Sequence, residues 1–224
     1  VQYNNIASTQ TVSTSYQRGK YGIYITTNRL RAFDLANNVI YNNENGITLN
    51  TTYGPITFGA SSYTNTQYVK SANILTNTVS AVPSGAQGNY FVTNAITVQN
   101  VLSPGSTSTV AANLVINLKN NQMAKVYNGV YATNLSVPPI LIENNTASIS
   151  IDPGGNLQNG IAIAACTNPS VQLNTITGQN QTNTITTGVY ASMNSAPKVT
   201  CNTVTTTYQG FEFTGNNAGT RWKG

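Results

Sequence analysis

Five carboxylates, two thiols and no imidazole are all that this 224-residue chain offers for proton transfer or nucleophilic attack. Without His it lacks the commonest general base and any Ser-His-Asp relay. The acids are Asp34, Glu44, Glu143, Asp152 and Glu212. Glycoside hydrolysis needs two carboxylates facing each other across the scissile bond. In the repeat frame set out below, no two of the five occupy one strand face of neighbouring repeats, so neither catalytic residues nor enzyme activity are expected. Two thiols and scattered carboxylates also fall short of a metal-ligand set. No metal site and no cofactor are expected. Cys166 and Cys201 occupy different places in their repeats. A disulfide stays open as an alternative, but two small buried thiols are the expectation.

Recognition chemistry is better supplied, through tyrosine. Tyr24, Tyr131 and Tyr190 sit at the outward position of three similar strand phrases, and Tyr53, Tyr63 and Tyr68 lie in a long stretch between two others. Aromatic rings along a ridge stack on sugars. They equally pack beneath loops folded over the same face. These six residues are the candidate ligand contacts.

Such side chains can act together only if something holds them at fixed intervals, and the chain has a repeat that does so. The phrase apolar-x-x-Asn-x-apolar occurs seven times, beginning with Val1-x-x-Asn4-x-Ile6 and ending with Val199-x-x-Asn202-x-Val204. Its asparagines are Asn4, Asn38, Asn77, Asn121, Asn145, Asn174 and Asn202, separated by 34, 39, 44, 24, 29 and 28 residues. Unequal intervals of about one supersecondary unit signal a solenoid with loops of varying length.

A second phrase follows most of the first: Gly and then an alternating triplet. It reads Gly22-Ile23-Tyr24-Ile25, Gly46-Ile47-Thr48-Leu49, Gly129-Val130-Tyr131-Ala132, Gly160-Ile161-Ala162-Ile163, Gly188-Val189-Tyr190-Ala191 and Gly210-Phe211-Glu212-Phe213. Only a looser version, Gly88 to Val92, serves the third repeat. Alternation places the first and third side chains inward and the middle one outward. Gly before the strand suits a positive φ or a close backbone approach.

Helices are excluded by 33 Asn, 33 Thr and the absence of a 3.6-residue apolar period. A β-sandwich also has many short strands, but it does not require one Asn at one place in every unit. In stacked coils a side-chain amide at a tight inner turn bonds backbone and the amides above and below. The expected fold is therefore all-β, a right-handed parallel β-helix of about seven coils with an internal Asn ladder. It forms a single segment over 1–224, with loop insertions at about 50–72 and 93–113. Core positions are Ile23, Ile25, Leu35, Ile47, Leu49, Val130, Ile142, Ile161, Ile163, Val171, Val189, Val199, Phe211 and Phe213.

These paired phrases resemble right-handed parallel β-helix repeats, as in pectate lyases, phage tailspikes and many bacterial surface proteins. The last repeat, Val199-Thr-Cys-Asn202-Thr-Val204 through Gly210-Phe-Glu-Phe213-Thr-Gly215-Asn216, resembles a phrase common in large exported proteins of the Bacteroidota. Those are often cargo of the type IX secretion system. The resemblance implies export. For lyase chemistry it would imply a calcium-binding carboxylate cluster beside a basic residue, which the five acids do not form.

Composition narrows the partners. Only 7% of residues are charged, with a net charge of +5. The densest basic cluster, Arg18, Lys20, Arg29 and Arg31, is too sparse in cations and interleaved aromatics for a nucleic-acid surface. No run approaches the roughly 18 apolar residues of a spanning helix, so membrane insertion is not expected. Thr-rich runs do not align between repeats, so an ice-binding face is not expected. Both ends lack the caps a solenoid needs, which points to a piece of a longer chain. The functional expectation is a non-catalytic, extracellular or cell-surface segment, the rigid rod of an adhesin or extracellular filament. Its partners would be other segments of its own chain, neighbouring subunits end to end, or glycans. A carbohydrate-binding or polysaccharide-degrading β-helix and a self-assembling fibre subunit are the alternatives.

Overall fold

In the computed structural model of the chain, residues 2, 4–7, 11–12, 15–16, 19–27, 33–41, 43–51, 70–80, 92–100, 114–135, 139–150, 155–179, 182 and 185–223 are described. Those residues contain β-strands and no helix, as a chain rich in Asn, Thr and β-branched side chains should. Apart from a short antiparallel pair, Thr11–Val12 with Ser15–Tyr16, every strand pairing is parallel.

The strands fall into three faces. The first holds Phe33–Ala36, Lys70–Leu75, Leu114–Lys119, Ile140–Glu143, Ser170–Gln172, Lys198–Thr200 and Arg221–Lys223, each paired with the next. The second holds Asn5–Ala7, Val39–Tyr41, Thr78–Ser80, the start of Gln122–Thr133, Thr146–Ile149, Thr175–Thr177 and Thr203–Thr205. The third holds Gly19–Thr27, Asn43–Thr51, Val92–Asn100, the end of Gln122–Thr133, Gln158–Ala164, Thr186–Ser192 and Gln209–Thr214. Because Gln122–Thr133 runs through both, the second and third faces join into one 13-stranded sheet. The chain visits second, third and first face in turn, then repeats one level up. At ~4.8 Å per level, seven levels span roughly 29 Å. This sequential stacking of parallel strands is compatible with a β-helix.

The step from first to second face always takes two residues. The first of them is left-handed: Asn37, Thr76, Asn120, Asn144, Leu173 and Cys201 have φ between 51° and 58°. Each sends its N–H to a carbonyl at the end of the next level's strand, as Thr76 does to Lys119 at 3.0 Å. The second residue is the ladder Asn. Its Oδ1 accepts the backbone N–H and the Nδ2 of the Asn one level below: Asn77 N and Nδ2 both lie 3.0 Å from Asn121 Oδ1. Its own Nδ2 reaches a carbonyl of the level below and the Oδ1 above, Asn121 to Ile74 O and Asn145 Oδ1, each 2.9 Å. This pattern runs unbroken from Asn4 to Asn202, and the five inner members are buried.

Inside the three faces the apolar side chains stack in columns such as Ile47, Ile96, Val130, Ile161 and Val189, none of them exposed. Of the expected core, Ile25 and Phe211 are only partly buried, and Phe213 is 39% exposed. Phe213 stands on the seventh level, where its strand pairs on one side only among the described residues.

Two expectations need correction. The third-level counterpart of the Gly phrase is not Gly88 to Val92. Asn94 pairs with Asn45 and Asn128, and Ile96 with Ile47 and Val130, so Ala95 occupies the glycine position. The expected insertion at 93–113 accordingly loses residues 93–100 to the strand Val92–Asn100, and 101–113 lies outside the described residues. The insertion at 50–72 likewise lies largely outside them, at 52–69.

Five of the six phrase glycines, all but Gly210 on the last level, answer to close approach rather than to φ. A Cβ on Gly160 would sit 2.4 Å from Ile176 Cγ2 and 2.7 Å from Gly188 O. At the third level Ala95 takes the glycine's place and is itself fully buried.

The ladder predicts a graded response. Asn121→Ala strands the buried N–H groups of Asn77 and should cost about 3–4 kcal/mol, whereas Asn202→Ala at the half-buried end should cost about 1 kcal/mol. Urea unfolding of the two variants measures the difference, and equal costs would contradict the arrangement.

Candidate functional site

The third face presents a register column on its outer side. Tyr24, Thr48, Thr97, Tyr131, Ala162, Tyr190 and Glu212 pair in sequence. Tall and short side chains alternate in blocks, so Thr48 and Thr97 are buried between the exposed Tyr24 and Tyr131. The resulting trough is a groove of about 450 Å³, lined by Tyr21, Asn45, Thr48, Asn50, Thr93, Asn94, Thr97, Gln99, Asn128, Tyr131, Leu157 and Asn159. None of these twelve side chains carries a charge, and only Leu157 is aliphatic.

Beside the threonines runs a second, outward column of amides. Asn45 Nδ2 donates to Lys20 O at 3.2 Å, Asn94 Nδ2 to Asn45 Oδ1 at 3.1 Å and Asn128 Nδ2 to Asn94 Oδ1 at 3.1 Å. Asn159 contributes its backbone N–H to Asn128 Oδ1 at 2.9 Å. Each Nδ2 spends one of its two N–H bonds on this chain and keeps one for the groove. The column shows in the sequence as Asn45-Gly46, Asn128-Gly129 and Asn159-Gly160, a dipeptide that the strand phrase conceals by beginning at Gly.

Of the six candidate tyrosines, Tyr131 lines the groove. Tyr24 stands at its end against Tyr21, with ring centroids 4.6 Å apart, and its hydroxyl accepts Asn50 Nδ2 at 2.9 Å. Tyr190 lies two levels beyond Tyr131, outside the groove, its hydroxyl accepting from Thr214 Oγ1 at 2.9 Å. Tyr53, Tyr63 and Tyr68 lie outside the described residues. Thr97, Asn94 and Gln99 do not stand out in the sequence, because Ala95 replaces the Gly that marks the strand phrase elsewhere.

The four described acids stay apart in the strand register. Asp34 accepts from Asn73, Glu212 faces Tyr190 and Thr187, and Glu44 is exposed. Asp152 lies outside the described residues, as do Arg18, Arg29 and Arg31. Glu143 pairs with Lys119 Nζ at 2.8 Å and accepts Gln172 Nε2 at 2.6 Å. The Lys119 hydrogen bond, then that of Gln172, holds its carboxyl below the ordinary range against a smaller opposing effect of burial.

The two cysteines differ. Cys166 is buried, and burial pushes its thiol up to about 11. It sits in another short polar column: its N–H donates to Asn194 Oδ1 at 2.9 Å, and Asn194 N–H donates in turn to Asn217 Oδ1 at 3.1 Å. Its Sγ–H points at Ala132 O, 3.6 Å away, and at Ala164 O, 3.3 Å away. Cys201 is exposed, against the expectation of two buried thiols. It is the left-handed residue of its corner, where side chains turn to solvent, as Leu173 does at 50% exposure.

Alkylation of the folded protein at about pH 8 should therefore modify Cys201 alone, with Cys166 reacting only after denaturation. Mass spectrometry of the labelled peptides reads this directly. Glu143 supplies a pH test. Its folded pKa lies below its unfolded one, so its stabilisation is complete above the ordinary carboxylate value and fades as pH falls through the depressed one. Glu143→Gln should cost about 0.5 kcal/mol at neutral pH and nothing in strong acid, measured by urea unfolding at both.

No protein-family model, curated protein or solved structure matches this chain.

Proposed function

We propose that the chain is a right-handed parallel β-helix serving as a stiff, non-catalytic segment of an exported surface protein. The observation that carries this reading is the unbroken amide column from Asn4 to Asn202, running through levels stacked by parallel strand pairing. Right-handedness follows the strong general preference of parallel crossover connections. Each level contacts only its neighbours, so length can be added without altering any contact already made. Such a body suits a load-bearing or presenting role better than a closed catalytic pocket.

Export is supported by the sparse charge, the Asn- and Thr-rich surface and the resemblance of the last repeat to exported proteins of the Bacteroidota. Adhesion is the use to which the outer groove on the third face fits best, since it is long, open and built on rigid strands. A polysaccharide-cleaving role finds no support in the four described acids, which the strand register keeps apart. Neighbouring segments of the same chain, or other subunits meeting it end to end, are the macromolecular partners this reading gives it.

Antibodies raised against the purified chain should label intact, unpermeabilised source cells or the filaments shed from them. Signal confined to permeabilised cells would overturn the placement at the cell surface.

A further inference from the structure

We infer that the groove on the third face binds an uncharged oligosaccharide lying along the stacking direction. The inference rests on the adhesive reading above and gives it a ligand class.

Four features point there together. None of the lining side chains is charged, and Lys20 Nζ stands at one end, 5.7 Å from the centroid of the Tyr21 ring. A uronic acid, phosphate or nucleic-acid polymer would meet Lys20 at the Tyr21 end and no cation along the rest of the lining, whereas anion recognition is built on several Arg, Lys or clustered N–H groups. An apolar ligand would meet amides and hydroxyls on nearly every side and leave them unpaired. A peptide strand would seek an open sheet edge for its backbone, whereas the groove floor is the face of paired strands. Sugar hydroxyls, which both donate and accept, match a lining of amides and threonines.

Geometry adds the second half. Tyr21 and Tyr131 stand three levels apart, about 14 Å at the strand spacing, and the two residues are 36% and 37% exposed, Tyr21 with Tyr24 and the Lys20 ammonium beside its ring. Aromatic faces at each end of a polar trough offer stacking platforms for rings whose edges bond the floor. Between them the donors come at the same spacing as the strands, from Asn94 and Asn128. Their amides are already oriented by the outward column, so a ligand would not have to order them. Tyr24 is likewise held from behind through Asn50.

The test is a glycan array probed with the purified chain, carrying neutral oligosaccharides beside uronic-acid and sialylated ones. The strongest neutral hit is then titrated calorimetrically against the native chain and two variants. Tyr131→Ala removes one stacking face, and Thr97→Tyr fills the trough with a residue that favours strands. Both should weaken binding about tenfold or more, while circular dichroism and thermal unfolding stay unchanged and added salt has little effect on affinity. Should Tyr131→Ala disturb the fold, Thr97→Tyr decides alone. Retention of acidic glycans only, no retention by the folded chain, or undiminished binding by a folded Thr97→Tyr would overturn the inference. None of those outcomes touches the rod reading, which stands or falls on the unfolding of ladder variants and on surface labelling.

Discussion

A buried amide that must give two hydrogen bonds and receive two is the constraint from which the rest of the structure follows. At each bend between first and second face the chain needs a left-handed residue, at a cost of about 1–2 kcal/mol when it is not glycine. Thr76, Leu173 and Cys201 bear that cost outright. It is offset because the bend delivers one N–H to the next strand's carbonyl and sets the following Asn in line with its counterparts. Only Asn fits. Asp would lose the donor half and stack carboxylates about 4.8 Å apart, repelling by about 3 kcal/mol per pair at an effective dielectric of about 20. Gln would carry its amide one methylene too far to reach both the level below and the level above.

That constraint distributes variation around the cross-section. The ladder corner is two residues long at every level, because one more would break both the left-handed bend and the amide column. The other two corners are free to vary. From third to first face the chain takes five residues at 193–197 and eighteen at 52–69. Where the former corner is short it grows a polar column of its own, and Cys166 shows how such a column can end. Its thiol points at Ala132 O, the place that Asn194 Nδ2 fills one level up by reaching Ile163 O at 3.0 Å. One level down, Leu135 is wholly buried and apolar. Amide, thiol and leucine thus taper a hydrogen-bonded column into the hydrophobic core without stranding a strong donor.

How much of this was legible in the sequence depended on whether a position tolerates substitutes. The parallel all-β architecture showed itself because the ladder tolerates nothing but Asn, and the strand phrase because Gly160 and Gly46 have no room for a Cβ. The third level is hard to place from sequence because Ala95 stands where the other levels have Gly, so a motif anchored on Gly slides to Gly88. Half of the left-handed corner residues, Thr76, Leu173 and Cys201, give no sign in the sequence for a similar reason, while Asn37, Asn120 and Asn144 do. Backbone bonding holds them in place whatever their side chain, so Thr, Leu and Cys appear where Asn or Gly would have announced a bend. Exposure of Cys201 and Phe213 depends on the direction of a bend and on height in the stack, which residue type does not encode.

The groove was half legible, and the missing half explains what a ligand would meet. Tyr24 and Tyr131 were visible as outward residues, but a ridge of rings alone distinguishes poorly between binding and burial beneath loops. What separates them is the amide column beside the rings. An inward amide stacked in this way exhausts its bonds on its neighbours and can do nothing but hold the coils together. The outward one, on Asn94 and Asn128, gives one Nδ2 bond to its neighbour and has a second N–H to give. Stacking that makes the inner column purely structural therefore makes the outer one a row of fixed donors at strand spacing. A surface of that kind discriminates by the repeat of its partner more than by any single contact, which is what recognition of a polymer requires.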